Sequence, residues 1–591
     1  MQLEITSPFT HSVNLEQNAL GYWQGIVKDA VPGMRYRFKP DNKSPLPDPA
    51  SLSQPDGVHG ASAVADRNSY EWSDDSWKGL ELSSMLIYEL HTGTFTPEGT
   101  FDGIIHKLDY LADLGINTIE IMPVAQFPGV RNWGYDGVFA FAVQHSYGGM
   151  DGLKRLVDAA HRKGIAVILD VVYNHLGPEG NYLPEFGPYN TDKYFTPWAK
   201  AMNFDDQYSD GVREYYLQNA LMWLNDFHID GLRLDAVHAI WDSGATHFLE
   251  VLEQRVRQLE EETGRKKVLI AEFDLNNPRY INPVSKGGYG MDGQWIDEFH
   301  HALHALITGE TNGYYSDFGS IDDLEKSFRD SYVFTGQYSA HRKKKFGRKT
   351  DNDFGQFVVF AQNHDHTGNR MNGERLTTIM REVLKSQQPE ADQVEQLHNE
   401  ALKLIAATYI LSPYVPMLFM GEEYGEENPF LFFTDHSDQE LINNTSKGRK
   451  KEFESFAWKQ DPPEPNDPET FKKSSLSWNI HSEHQKELLE FYKFLLRFRK
   501  SYPAFQSLKR KDLVVHPNNG SIICVERRNN DASALMLLNF SLEEQAYTLK
   551  GFSRRKIFNS SGPDWNDPKD QDTLIHETFI LSPLSVTIFE R

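Results

Sequence analysis

Asp170-Val171-Val172-Tyr173-Asn174-His175, Gly231-Leu232-Arg233-Leu234-Asp235-Ala236, Leu269-Ile270-Ala271-Glu272 and Gln362-Asn363-His364-Asp365 decide the fold. Each is an apolar run that ends in acidic, amide or imidazole groups. A buried barrel strand has this pattern when its C-terminal end opens into an active site. Three carboxylates, Asp235, Glu272 and Asp365, thereby fall at three separate strand ends. Such a set suits cleavage of a glycosidic bond.

Working outward, apolar strands alternate with helical patterns. Met85-Leu86-Ile87-Tyr88-Glu89-Leu90 reads as a strand, residues 102–114 as a helix closed by Gly115, and Thr118-Ile119-Glu120-Ile121-Met122 as the next strand. A helix over 152–163 leads into the strand ending at Val172, and the alternation recurs at 231–235, 268–272, 358–363 and 415–420. Near-continuous apolar strands between helices indicate a parallel sheet covered on both faces. Seven strands are directly readable, and an eighth is assumed between 280 and 350. The fold class is therefore α/β, a (β/α)8 TIM barrel over residues 83–505. An irregular insertion at about 173–208 is long enough to be functional. Residues 1–82 read as an N-terminal β-sandwich, with 26–38 loosely alternating and Ser73-Asp74-Asp75-Ser76-Trp77 as a linker. Residues 506–591 read as a C-terminal all-β domain.

A chain of 591 residues exceeds one core, which agrees with several domains. Its net charge of -24 argues against a nucleic-acid backbone as partner. The basic run His341-Arg342-Lys343-Lys344-Lys345 reads as a solvated loop. The single Cys524 rules out an internal disulfide and a cysteine metal cluster. The first residues lack the basic and apolar stretches of a signal peptide, and the apolar region 402–420 is broken by Lys403, Pro413 and Pro416. The expectation is a cytoplasmic protein with no membrane span, the region 402–420 being a helix, a turn and a buried strand.

The chemistry is read from spacing. Residues two apart on a strand point the same way, so Arg233 lies beside Asp235. A guanidinium there keeps a nucleophilic carboxylate ionised, although a structural ion pair at the rim fits equally. Glu272 ends an apolar strand, where a raised pKa suits a general acid and a satisfied buried Glu is the alternative. His364 and Asp365 suit hydrogen bonds to sugar hydroxyls. Asp170, Asn174 and His175 close the third strand. No metal-ligand spacing accompanies them, so no catalytic metal and no cofactor is expected, while a structural Ca²⁺ in the following loop stays open. Trp133, Tyr173 and Trp241 are candidate stacking platforms or core residues.

The four segments, in this order, resemble the signature regions of the α-amylase superfamily, glycoside hydrolase family 13, over roughly residues 85–500. The resemblance implies Asp235 as nucleophile, Glu272 as general acid/base and Asp365 as transition-state stabiliser. It also implies Tyr135, Asp170, His175, Arg233 and His364 at the subsite of the sugar being cleaved. Further runs are similar to the branch of that superfamily that releases trehalose from maltooligosyl-trehalose. They are Asn132-Trp133-Gly134-Tyr135-Asp136-Gly137, Asp235-Ala236-Val237-His238-Ala239-Ile240, Asp274-Leu275-Asn276-Asn277-Pro278-Arg279 and Asp297-Glu298-Phe299-His300-His301. Trp133 and His238 join the expected substrate-binding residues on that basis. Functional pairing with a maltooligosyltrehalose synthase is implied likewise. Branching or debranching of α-glucan is the rival on the same barrel. A non-catalytic glucan-binding or interaction protein is the rival from another class, against which the three intact carboxylates speak.

Overall fold

The computed structural model describes residues 1–40, 43–196, 200–388, 390–453, 461–548, 554–561, 565, 574–575 and 578–590. Its centre is a closed barrel of eight parallel strands: β1 Ile87–Leu90, β2 Thr118–Ile121, β3 Ala166–Val171, β4 Gly231–Leu234, β5 Val268–Ala271, β6 Gly293–Trp295, β7 Phe357–Val359 and β8 Val415–Phe419. β8 pairs with β1, which leaves no open edge. Every strand residue is buried, as a sheet covered by helices requires. The eighth strand assumed between 280 and 350 is β6.

Register carries polar groups to one end of the barrel. Asp170 of β3 pairs with Arg233 of β4, and Leu234 pairs with Ala271 of β5. The chain then continues the ladder for one more step: Asp235 N–H donates to Val171 O at 3.0 Å and Glu272 N–H to Leu234 O at 3.0 Å. The carboxylates are thus fixed by backbone pairing of the residues that bear them, so they sit on rigid scaffold rather than on mobile loop.

Some expectations change in detail. The helix read over 102–114 is two helices, Phe101–Ile105 and Leu108–Leu114, the second ended by Gly115 at φ 108°. The insertion after β3 contains a short antiparallel pair, Asn190–Phe195 with Lys200–Met202. The region 402–420 is the end of helix Ala391–Ile410, a turn, and buried β8. The basic run is a tight hairpin whose three lysines are exposed, but its Arg342 is half-buried and donates to Asp274 at 2.7 Å. Among the described residues no helix is long and apolar enough to cross a membrane.

The N-terminal strands Gln2–Ser7, His11–Asn14, Arg35–Lys39 and Ser62–Ala63 form one antiparallel sheet, while Glu16–Gln17 pairs with Trp23–Gln24. Ile26 is 86% exposed and outside the sheet, so the loose alternation of 26–38 becomes a strand only from Arg35. The 73–77 stretch is not a free linker. Asp74 is buried and bonds His161 at 2.7 Å and His228 at 2.9 Å, and His161 reaches Asp230 at 2.8 Å. Arg265 adds a third partner to Asp74. Burial opposes ionisation of Asp74, but these hydrogen bonds outweigh it and hold the carboxyl well below its usual range. At the other end, a six-stranded sheet from Leu513–Asn519 to Ser585–Glu590 faces the pair Gln545–Thr548 and Thr578–Leu581. Ile522, Cys524, Leu535, Leu537, Leu581 and Phe589 form the core between them.

Candidate active site

Arg233 organises the site. Its guanidinium is fully buried and lies 4.3 Å over the Trp295 ring. Nη1 donates to both oxygens of Asp170, at 2.9 and 2.8 Å, and to Asp235 Oδ1 at 2.9 Å. Nη2 lies 3.6 Å from Glu272 Oε2. A single delocalised cation therefore faces three carboxyl groups on β3, β4 and β5, which its planar fork suits. Asn174 completes the cradle of Asp235, donating to Oδ2 at 2.8 Å and to the backbone oxygen at 2.9 Å.

The environments of the carboxyls differ. Burial pushes Glu272 well above the usual carboxyl range; Arg233 pulls it down, while Asp235, Asp297 and Asp365 push it further up. Its Oε2 accepts Ala236 N–H at 2.6 Å. Burial also raises Asp170 to about 6, with Arg233 opposing. Asp235 accepts from Arg233 on one oxygen and from Asn174 on the other, which fixes its orientation. Asp365 is the open member, with its side chain 43% exposed, and accepts from Asn369 at 3.1 Å.

A second set of groups comes from β1, the β2 loop and the residues after β7. His364 Nδ1 lies 2.5 Å from Glu89 of β1, and Nε2 lies 2.7 Å from Tyr135 Oη. Tyr135 gives its one proton to Asp170 at 2.6 Å, so it accepts from His364. Both ring nitrogens of His364 then donate. Burial disfavours that charge, but Glu89 and Asp365 overcome it and lift His364 to about 9. His175 stays close to Tyr135 through its carbonyl, 3.2 Å from Nε2, and burial lowers its pKa.

Each residue expected from sequence can now be placed. Asp170, Arg233, Asp235 and Glu272 meet directly, and Tyr135, His364, His175 and Asp365 adjoin them. His238, in the turn Val237–Ala239, faces Asp274: burial alone would raise that carboxyl, but Arg342 and then His238 bring it below its usual range. Trp133 is a correction. It is 3% exposed, its indole donates to Leu431 O at 2.8 Å, and it stacks on Phe430 while backing the edge of His364. It supports His364 and offers no face to a sugar. Tyr173 is likewise buried, donating to Asn219 at 2.7 Å. Only Trp241 of the three platform candidates is exposed. Among the described residues no group of three or more His, Cys, Asp or Glu side chains is arranged to hold a metal ion.

The packing behind Trp133 has a testable consequence. A Cβ on Gly368 would lie 2.1 Å from Trp133 Cζ2. Gly368→Ala is expected to cost about 1–3 kcal/mol by overpacking and to lower turnover by displacing His364. Denaturant titration and initial rates check it, and an unchanged midpoint would refute the packing assignment.

Sequence reading missed several members. Glu89 and Glu120 lie inside β1 and β2, where a charge in an apolar run was the available signal. Burial, then Glu89, push Glu120 well above its usual range. Asp297, just past β6, is raised to about 8 by burial and by Asp274. Asp297, Asp274, Trp295, His301, Tyr314 and Arg342 line a small cavity together with Phe273, the residue after Glu272.

Comparison with known proteins identifies the family. The alpha amylase catalytic-domain family matches residues 59–203. The malto-oligosyltrehalose trehalohydrolase of Saccharolobus solfataricus is 48% identical, the alignment covering 83% of this chain and 81% of that protein. That of Rhizobium sp. is 46% identical, covering 84% and 81%. The crystal structure of a Salmonella typhimurium protein described as an alpha amylase superposes with a TM-score of 0.87 at 36% identity, covering 100% of this chain and 95% of that one. A barrel with three carboxylates at the ends of β4, β5 and β7, and relatives this similar over most of their length, assign the chain to the malto-oligosyltrehalose trehalohydrolase family of α-amylase-type glycoside hydrolases.

Proposed function

We propose that this enzyme releases trehalose from maltooligosyl-trehalose by retaining hydrolysis of the α-1,4 bond next to the trehalose unit. The observation that carries this reading is the divergence of two carboxyls around one guanidinium. Arg233 Nη1 donates to Asp235 Oδ1 at 2.9 Å, while burial holds the Glu272 carboxyl well above its usual range. Asp235 attacks the anomeric carbon as Glu272 protonates the leaving oxygen. The bond to trehalose breaks and a glycosyl ester forms on Asp235. Esterification removes the negative charge of Asp235, one of the groups that raises Glu272. Glu272 then ionises more readily, as it must to draw a proton from the water that opens the ester. Asp365, the open carboxyl with the His364 ring 3.6 Å away, would accept from hydroxyls of the sugar whose charge changes.

The similarity to malto-oligosyltrehalose trehalohydrolases supports trehalose as leaving group. Near Glu272, Asp274, Asp297, Tyr314 and Arg342 line a small polar cavity with aromatic walls. Polar groups that must be satisfied by a ligand discriminate more strongly than apolar fit alone. A cytoplasmic setting is suggested by the single cysteine, and functional pairing with a maltooligosyltrehalose synthase that makes the substrate rests on family resemblance.

Product chromatography after incubation with maltotriosyl-trehalose and, separately, maltopentaose tests the reading. Trehalose is expected to appear much faster than glucose or maltose. Equal cutting of both substrates would indicate a general amylase, and new α-1,6 bonds without net hydrolysis would indicate branching.

A further inference from the structure

We propose that the stacked rings of Tyr194 and Trp241 form a glucan-binding platform on the barrel rim, taking the apolar face of a glucose residue beyond those at the scissile bond. The proposal rests on the glycosidase reading. Trp241 is 45% exposed although Tyr194 covers one of its faces, with ring centroids 5.4 Å apart and planes 15° apart. Trp241 thus keeps nearly half of its surface exposed beside that stack. An exposed aromatic held in one orientation is the usual means of gripping a pyranose, whose C–H face is apolar and whose hydroxyl rim is not.

Three observations place and stiffen this platform. First, Trp241 follows Asp235 by only six residues, and the intervening turn is tied to the acid's strand end, Val237 N–H donating to Glu272 O at 3.0 Å. The ring thus stands at the same end of the barrel as the carboxylates. Second, its backbone is pinned on both sides. Ile240 is 3% exposed, and the buried Asp242 side chain pairs with Arg213 and accepts Phe248 N–H at 2.7 Å. Third, Tyr194 arrives from the insertion after β3 and is locked to the same turn. Its hydroxyl donates to Asp205 at 2.5 Å and lies 3.0 Å from Ser243 Oγ, while Ser243 N–H donates to Asp205 at 2.7 Å. Asp205 therefore staples the two loops so that the rings meet before any ligand arrives. Binding to such a surface loses little side-chain freedom, which favours even one stacked sugar. Trp133 and Tyr173, by contrast, have no face to offer.

The test compares W241A and W241F with the wild-type enzyme on maltopentaosyl-trehalose and on maltosyl-trehalose. W241A is expected to raise KM for the longer substrate by about three- to tenfold, the worth of one aromatic stack. The shorter substrate and kcat change by less than about twofold, and W241F recovers most of the loss. Titration with maltoheptaose, followed by intrinsic fluorescence, gives a readout independent of turnover: saturable quenching in the wild type is expected to weaken in W241A. Unchanged KM and unchanged quenching in W241A would overturn the platform. So would an equal loss for both substrates, which would place Trp241 at the scissile bond. A wild-type enzyme that binds maltoheptaose through Trp241 yet releases no trehalose would retain the platform and refute the proposed reaction instead.

Discussion

Glu272→Gln is expected to reduce kcat/KM for maltotriosyl-trehalose by about 10²- to 10⁴-fold, the usual contribution of a general acid, and to abolish the basic limb of the pH profile. The sign follows from the site. Burial, reinforced by Asp235, Asp297 and Asp365, raises the Glu272 carboxyl far above its ordinary range. The first chemical step needs the protonated form. Activity therefore falls as pH rises through the elevated pKa. Glutamine preserves shape and the contact with Ala236 N–H through its amide oxygen, so the fold should persist. A substrate whose leaving group needs no proton, such as a glycosyl fluoride, should lose far less in formation of the glycosyl ester. Wild-type-like turnover in Glu272→Gln, or a retained basic limb, would remove Glu272 from the acid role.

The second large effect belongs to Arg233. Arg233→Leu leaves Asp170 and Asp235 facing each other without their shared cation, in a place where water cannot replace it. Deleting one partner of a buried ion pair typically costs about 3–5 kcal/mol. Asp170, already raised by burial, should rise further without Arg233, and Asp235 loses the donor that orients it for attack. Loss of stability and loss of turnover should therefore appear together. Arg233→Lys is the sharper variant. It keeps the charge but loses the fork that reaches Asp170 and Asp235 while stacking on Trp295. Its expected signature is partial recovery of the unfolding midpoint with little recovery of kcat. Full recovery of kcat by lysine would show that charge alone matters.

Much of this site is legible in the sequence, because barrel strands announce themselves as apolar runs and their polar ends are local. Asp170, Arg233, Asp235, Glu272 and Asp365 each end or follow such a run. What escapes is set by closure of the barrel. Glu89 becomes a partner of His364 only when β8 pairs with β1, joining residues 275 apart in the chain. β6 is three residues, Gly293-Gln294-Trp295, too short and too polar for periodicity to show. Aromatic roles are also hidden. Trp133, Tyr173 and Trp241 look equivalent in sequence, yet exposures of 3%, 2% and 45% separate two core residues from one surface ring. The linker reading of 73–77 fails for a similar reason: a polar stretch is solvated only if no buried partner such as His161 waits for it.

The most direct test is to trap the glycosyl-enzyme. Glu272→Gln incubated with α-maltotriosyl fluoride should form the ester without acid assistance and then stall, since no base remains to activate water. Peptide mass spectrometry is expected to find a maltotriosyl adduct on Asp235. An adduct on Asp365, or none while fluoride is released at a steady rate, would contradict the assignment of Asp235 as nucleophile and with it the retaining mechanism.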